Sequence, residues 1–165
     1  MNVKQYDFYT ALRNLPFVEG IWFYGSRARE EEKPNDYPWY DSFLDLGEAL
    51  EQLQKMVNEP ETEKSYVRDA TIQRFKFSFE LFWKTLKKIC FYEKYDVTSP
   101  RSVLEKAFEL KLINDEALWF MMLEDRNQTT HLYQKKLASE IYYRIKNYYP
   151  AMQKTFLSIK EKYKL

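Results

Sequence analysis

Cysteine and histidine are the scarcest of the chemically useful side chains in this sequence, with one of each, Cys90 and His131. A lone thiol excludes an intramolecular disulfide and any metal cluster built from cysteines. Glycine is nearly as rare, at 3 residues, and proline occurs 6 times; so few turn-formers argue against a β architecture and for long helices. The N-terminus shows no apolar signal-peptide core, and no long uncharged apolar run follows. Neither a leader nor a membrane span is readable, and the reducing cytoplasm is the expected location. An excess of one charge is missing too. With 26 Lys and Arg against 25 Asp and Glu the formal net charge is +1, so any attraction for nucleic acid has to be local.

Aromatic residues are abundant: 14 Tyr, 12 Phe and 4 Trp. Tyrosine in such numbers suits core edges and interfaces, where the ring is buried and the hydroxyl stays wet. Apolar residues at 45% and charged residues at 31% give 165 residues the material for one well-filled domain with a polar surface, plus a short extra piece.

Met1 to Asn14 has apolar residues at helical spacing, Val3, Tyr6, Tyr9 and Leu12, and Pro16 closes it. Val18 to Tyr24 is a β-branched and aromatic run that reads as a strand, and Glu30 to Pro38 reads as a charged linker. From Trp39 the pattern is helical almost to the end. Phe43, Leu46, Leu50, Leu53 and Val57 mark a first helix over Trp39 to Asn58. The second, Tyr66 to Tyr92, has an apolar face too wide for a surface helix and should be central. Ser99 and Pro100 open a third, Arg101 to Leu110, by a cap followed by proline at the first helical position. Asn114 is the expected cap of a fourth, Asp115 to about Asn127. A fifth runs from about Gln134 to Tyr163, where Pro150 should kink or interrupt it. The fold class is therefore all-α, a helical bundle over residues 39–165 with a short helix–strand appendage over 1–34.

The chemically informative segment is Glu124-Asp125-Arg126-Asn127-Gln128-Thr129-Thr130-His131-Leu132-Tyr133, where one helix ends and another begins. The Arg126 guanidinium can grip phosphate oxygens through two parallel hydrogen bonds and never loses its charge. The His131 imidazole titrates near neutrality and can move a proton, while Asn127 can orient either group or bind the phosphate. Together they suit attack of an RNA 2′-hydroxyl on its own phosphate without a metal, lacking only a second proton-transfer group, which a two-fold dimer would supply. On spacing alone, a helix-end salt bridge is the commoner outcome for such a pattern, with Asp125 and Glu124 neutralising Arg126, or Glu80 pairing with it across the bundle. Lys135, Lys136 and Arg144 flank the motif and would widen its positive field. Phe75, Phe79 and Trp83 read as core, Cys90 as buried filler, and Lys84, Lys87 and Lys88 as a solvated helix face.

An ordered series of stretches carries a family resemblance. These are Arg68-Asp69-Ala70-Thr71-Ile72-Gln73-Arg74-Phe75, Phe79-Glu80-Leu81-Phe82-Trp83-Lys84, Thr98-Ser99-Pro100-Arg101, Ala107-Phe108, Leu118-Trp119, Met122-Leu123-Glu124-Asp125-Arg126-Asn127 and His131-Leu132-Tyr133. In them the chain resembles the HEPN proteins partnered with minimal nucleotidyltransferases, often called nucleotidyltransferase substrate-binding proteins. The resemblance implies an up-and-down four- or five-helix bundle, a homodimer, and a motif-lined cleft at the dimer interface. It also implies a cognate minimal nucleotidyltransferase as partner and an RNA or nucleotide ligand, with no cofactor and no metal. In toxin members of that group the motif cleaves RNA. Carried over, Arg126 binds phosphate, Asn127 supports it, His131 serves as acid and base, and Tyr133 stands where the partner transferase attaches AMP to silence the toxin.

Phe23-Tyr24-Gly25-Ser26-Arg27-Ala28-Arg29 separately resembles the Gly-Ser motif of minimal nucleotidyltransferases, whose turn cradles nucleotide phosphates. Those enzymes need an Asp-x-Asp pair for magnesium, and none follows here, since Asp36, Asp41 and Asp45 lie in the linker or at helical spacing. Residues 1–34 thus read as a remnant without transferase activity, expected to pack on the bundle or on another subunit. The functional expectation is a HEPN-type nucleotide- or RNA-binding protein, in its sharpest form the metal-independent ribonuclease toxin of a toxin–antitoxin pair. The alternatives are a non-catalytic substrate-binding or assembly subunit and an inactive fusion remnant.

Overall fold

The structure, a computed structural model, describes residues 36–60, 66–131 and 134–165, with His131 described in its backbone only. The helix, strand and Gly-Ser turn expected over 1–34 lie outside the described residues, as does Tyr133. The described residues form five helices, α1 (Tyr40–Asn58), α2 (Tyr66–Tyr92), α3 (Pro100–Glu109), α4 (Glu116–Gln128) and α5 (Lys135–Lys162), with a short 3₁₀ turn at Thr129–His131 between the last two. No strand occurs among the described residues, and no helix there is long and apolar enough to cross a membrane.

Helix α2 is the central element expected from its wide apolar face, packing against each of the other four. Val67, Ile72, Phe75, Phe79, Phe82, Leu86 and Ile89 are buried along it. Phe43, Leu46, Leu50 and Leu53 bury the matching stripe of α1. Trp119 of α4 inserts between Phe82 and Phe79, its ring centroid 4.7 and 6.2 Å from theirs.

Helix α3 starts as its sequence dictates. The Ser99 hydroxyl accepts from the Ser102 N–H at 3.1 Å, the Ser102 hydroxyl accepts in return from the Ser99 N–H, and Pro100 occupies the first turn. At α4 the cap is Asp115 rather than Asn114; its carboxylate accepts from the Leu118 N–H at 3.0 Å. Pro150 does not interrupt α5, which continues through it to Lys162. The proline is exposed, so the carbonyl deprived of an N–H partner can turn to water, while buried Ile145, Tyr148 and Met152 hold the other face on the bundle.

The scarcity of glycine shows at the helix ends. Helices α2, α3 and α5 each terminate through a residue at positive φ, and each time it is a lysine: Lys94 at 72°, Lys111 at 58° and Lys164 at 54°. The N–H of the following residue then reaches back five positions, from Tyr95 to the Cys90 carbonyl, from Leu112 to Ala107 and from Leu165 to Lys160. Glycine is the usual occupant of this position. Lysine carries a Cβ penalty there but sets a positive charge beside the negative end of the helix dipole. Gly47, by contrast, sits inside α1 against Phe156, whose ring a Cβ would meet at 3.1 Å; the absent side chain lets that ring stack on Phe43 at 4.2 Å.

Helices α1 and α2 meet along a seam of small hydroxyls. Thr71, Ser78 and Thr85, spaced seven apart and all buried, face the main-chain carbonyls of Met56, Ala49 and Ser42, also seven apart and in reverse order. Thr85 and Ser78 donate to Ser42 and Ala49 at 3.2 and 3.1 Å. Thr71 lies 3.4 Å from the Met56 oxygen and makes its shorter bond, 2.7 Å, to Val67 in its own helix. The reversed order makes the pair antiparallel, and a seven-residue step is the repeat of coiled-coil packing. Helix α5 runs parallel to α2, since Arg68 bonds Ser139 at 3.0 Å near one end and Tyr163 bonds Glu93 at 2.7 Å near the other. Replacing Ser78 by leucine should lower the unfolding free energy by about 2 kcal/mol through overpacking, and Ser78→Ala by about 1 kcal/mol through the lost bond. Urea midpoints of the two variants check this ordering.

Candidate functional site

Consecutive helical residues point about 100° apart, so Asp125, Arg126 and Asn127 at the end of α4 face three directions. Asp125 faces α5 and is buried; Arg126 turns to α2; Asn127 is exposed. After them the chain tightens into the 3₁₀ turn. The Thr129 hydroxyl donates to the Arg126 carbonyl at 2.6 Å and the Thr130 hydroxyl to the Asn127 carbonyl at 3.2 Å. The hydroxyls thus add donors to two carbonyls at the helix end, where the Arg126 oxygen also accepts from the Thr129 N–H. His131 closes this turn.

The Arg126 guanidinium is held at two points. Its Nη2 pairs with Glu80 of α2, and its Nη1 donates to the Asn127 side-chain oxygen at 3.1 Å. Its Nε is buried without a hydrogen-bond partner, yet 34% of the side chain remains exposed. Glu80 in turn accepts from the Trp83 indole N–H at 3.2 Å and lies 3.7 Å from the Lys84 ammonium. Arg126 and Asn127 are therefore brought together as the sequence suggested, and the pairing with Glu80 across the bundle is present. The His131 side chain and Tyr133 lie outside what is described.

The two acids beside Arg126 do not neutralise it through a direct ion pair. Glu124 accepts from Gln128 one turn on, at 2.9 Å. Asp125 binds Arg144, whose Nε and Nη2 reach its two oxygens at 2.7 and 2.8 Å, and it also accepts from the Tyr148 hydroxyl at 2.7 Å. Arg144, expected to widen the positive field of the motif, is thus committed to a buried carboxylate. The side-chain hydrogen bonds to Asp125 hold its guanidinium above even the usual arginine range. The missed signal was spacing: Arg144 and Tyr148 stand four apart on α5, on one face, where both can reach a single acceptor. Of the other residues weighed, Phe75 and Phe79 are fully buried and Trp83 is partly buried. Lys84 pairs with Glu80, and Lys88 bonds the Ser42 hydroxyl.

Burial pushes the Cys90 thiol up to about 11, which suits filler and not a nucleophile. It raises Tyr148 and Tyr163 well above the ordinary phenol value, helped by their hydrogen bonds to Asp125 and Glu93. All three groups hold their protons more tightly folded than unfolded, so their contribution is complete below the unfolded values. It is lost as pH climbs from about 9 through the raised folded values. The urea midpoint should therefore fall steadily above about pH 9; a flat or rising profile would contradict the assignment.

Among the described residues no group of three His, Cys, Asp or Glu side chains converges as a metal-ligand set. A shallow open groove of about 510 Å³ between α1 and α5, lined by Gln54, Tyr149, Gln153 and Leu157, contains none of the motif residues.

Fold and site define a helical-bundle protein that displays a hydrogen-bonded Arg–Asn pair at the end of its fourth helix. The chain belongs to the family described as nucleotidyltransferase substrate binding protein like, whose model matches residues 41–161, from the start of α1 almost to the end of α5. A crystal structure of a protein from Thermus thermophilus is similar to it. The two are 34% identical with a TM-score of 0.63, over 68% of this chain and 96% of that one. No curated protein matches the chain.

Proposed function

We propose that this chain is a HEPN-type binding and assembly subunit for a minimal nucleotidyltransferase, and that it takes the phosphate of a nucleotide or RNA at Arg126 and Asn127. The family description supports the binding role. The observation that carries the site is the Arg126 guanidinium, one third exposed, oriented by Asn127 at 3.1 Å and followed five residues on by the chain's only histidine. The finer form of this reading is a metal-independent ribonuclease toxin acting as a cytoplasmic homodimer. The RNA 2′-oxygen attacks phosphorus, a 2′,3′-cyclic phosphate forms and the bond to the 5′-oxygen breaks. One His131 takes the hydroxyl proton, and its symmetry mate protonates the leaving oxygen. Tyr133 is then the acceptor for AMP from the partner. Residues 1–34, lacking the Asp-x-Asp pair, contribute no transferase chemistry.

The test uses end-labelled single-stranded RNA with EDTA present, comparing the parent chain with Arg126→Ala and His131→Ala. Binding that Arg126→Ala removes supports the site, and EDTA-resistant cutting that both substitutions remove supports the ribonuclease. Arg126-dependent binding without cutting leaves the subunit role alone. Binding indifferent to Arg126 overturns the proposal.

A further inference from the structure

An arginine that receives phosphate from outside is here already in contact with a carboxylate from inside. Glu80 places Oε1 on Arg126 Nη2, while its Oε2 accepts from Trp83 at 3.2 Å and lies 3.7 Å from Lys84. A carboxylate and a phosphate present the same paired oxygens to a guanidinium, so the two compete for one fork. The ion pair is exposed enough to exchange, with 34% of the Arg126 side chain and 22% of the Glu80 side chain reachable by solvent. Partly exposed pairs of this kind hold weakly.

Both other partners of Glu80 come from its own helix, three and four residues on. They remain in place whatever Arg126 does, so giving up Arg126 does not strand the carboxylate. On the other side, Asn127 stays with the guanidinium.

Resting on the reading of Arg126 as the anion-binding group, we infer that Glu80 determines the affinity of that site. It occupies the guanidinium when no ligand is present and yields it to an incoming phosphate, while Trp83 and Lys84 keep the displaced carboxylate partnered. A pair that merely joined α2 to α4 would predict the opposite: loss of Glu80 would loosen the site and weaken binding.

The experiment measures binding of fluorescein-labelled single-stranded RNA to the full chain by anisotropy at low salt, with EDTA present. Glu80→Gln keeps the side chain's size and removes the competing charge, and should tighten binding about tenfold. Arg126→Ala should weaken binding, and the double variant should match Arg126→Ala, because the gain passes through that guanidinium. Circular dichroism melts confirm that each chain folds, and Glu80→Ala gives the same ordering should Glu80→Gln fail to. Unchanged or weaker binding by the Glu80 variants overturns the inference, as does a gain that persists without Arg126. If Arg126→Ala weakens binding and Glu80→Gln does not strengthen it, the Glu80 inference alone falls. If the parent and Arg126→Ala bind alike, the phosphate site itself falls and the inference with it.

Discussion

Replacing Asp125 with alanine should lower the free energy of unfolding by about 3 kcal/mol, measured by urea denaturation at neutral pH. The carboxylate is 6% exposed and accepts from Arg144 through both oxygens and from the Tyr148 hydroxyl. Alanine leaves a guanidinium and a buried phenol without their acceptor. Arg144 is one third exposed and can turn partly to water, which keeps the loss toward the lower end of the range for broken buried pairs. Tyr148 is 1% exposed and has no such escape. Arg144→Met should cost a similar amount by leaving the buried carboxylate without its cation. The triple variant Asp125→Leu, Arg144→Met, Tyr148→Phe should recover most of the loss, because a polar network exchanged whole for apolar groups is close to neutral. A triple variant as unstable as Asp125→Ala would assign the cost to lost packing instead of stranded polar groups.

The second large effect belongs to the proposed phosphate site. Removing one partner of a charge-assisted contact costs roughly 2 to 5 kcal/mol of binding, about 30-fold to several-thousand-fold in affinity, so Arg126→Ala should reduce RNA binding by at least the lower figure. Arg126→Lys should recover only part, since an ammonium cannot serve two oxygens at once through a planar fork. If the chain cuts RNA, His131→Ala should slow the chemical step about 10² to 10⁴-fold with binding little changed, the mark of lost proton transfer. Equal losses of binding and cutting from His131→Ala would make it a contact residue. AMP found by mass spectrometry on a residue other than Tyr133 would refute that acceptor.

Most helix boundaries were legible because the signals were local. The stripe from Phe43 to Leu53 fixed α1, and Ser99-Pro100 fixed the start of α3, each within a residue of the observed bounds. Asp115 displaced Asn114 as a cap because the two are chemically alike and only the backbone decides which side chain reaches the free N–H groups. Pro150 does not break α5 because its cost depends on what surrounds it, and a solvent-facing proline on a well-packed helix is tolerated. At the site, Arg126 and Asn127 stood out by residue type, and Glu80 was foreseen as a partner. The links from Asp125 to Arg144 and Tyr148 span 19 and 23 residues: the four-residue spacing puts both donors on one face of α5, but which acid that face meets is decided only when α5 packs on α4.

The hydroxyl seam keys the register of α1 and α2 through main-chain oxygens of α1, beside the apolar packing of their side chains. The bonds themselves do not depend on which α1 side chain stands at Ser42 or Ala49, although Ala49 is buried and leaves little room for a larger one. Sliding one helix past the other, in contrast, breaks several contacts at once. Glu80 stands on the helix whose register this seam sets. Under the proposed phosphate site, a ligand that reaches Arg126 would meet Glu80 as part of this pre-aligned pair.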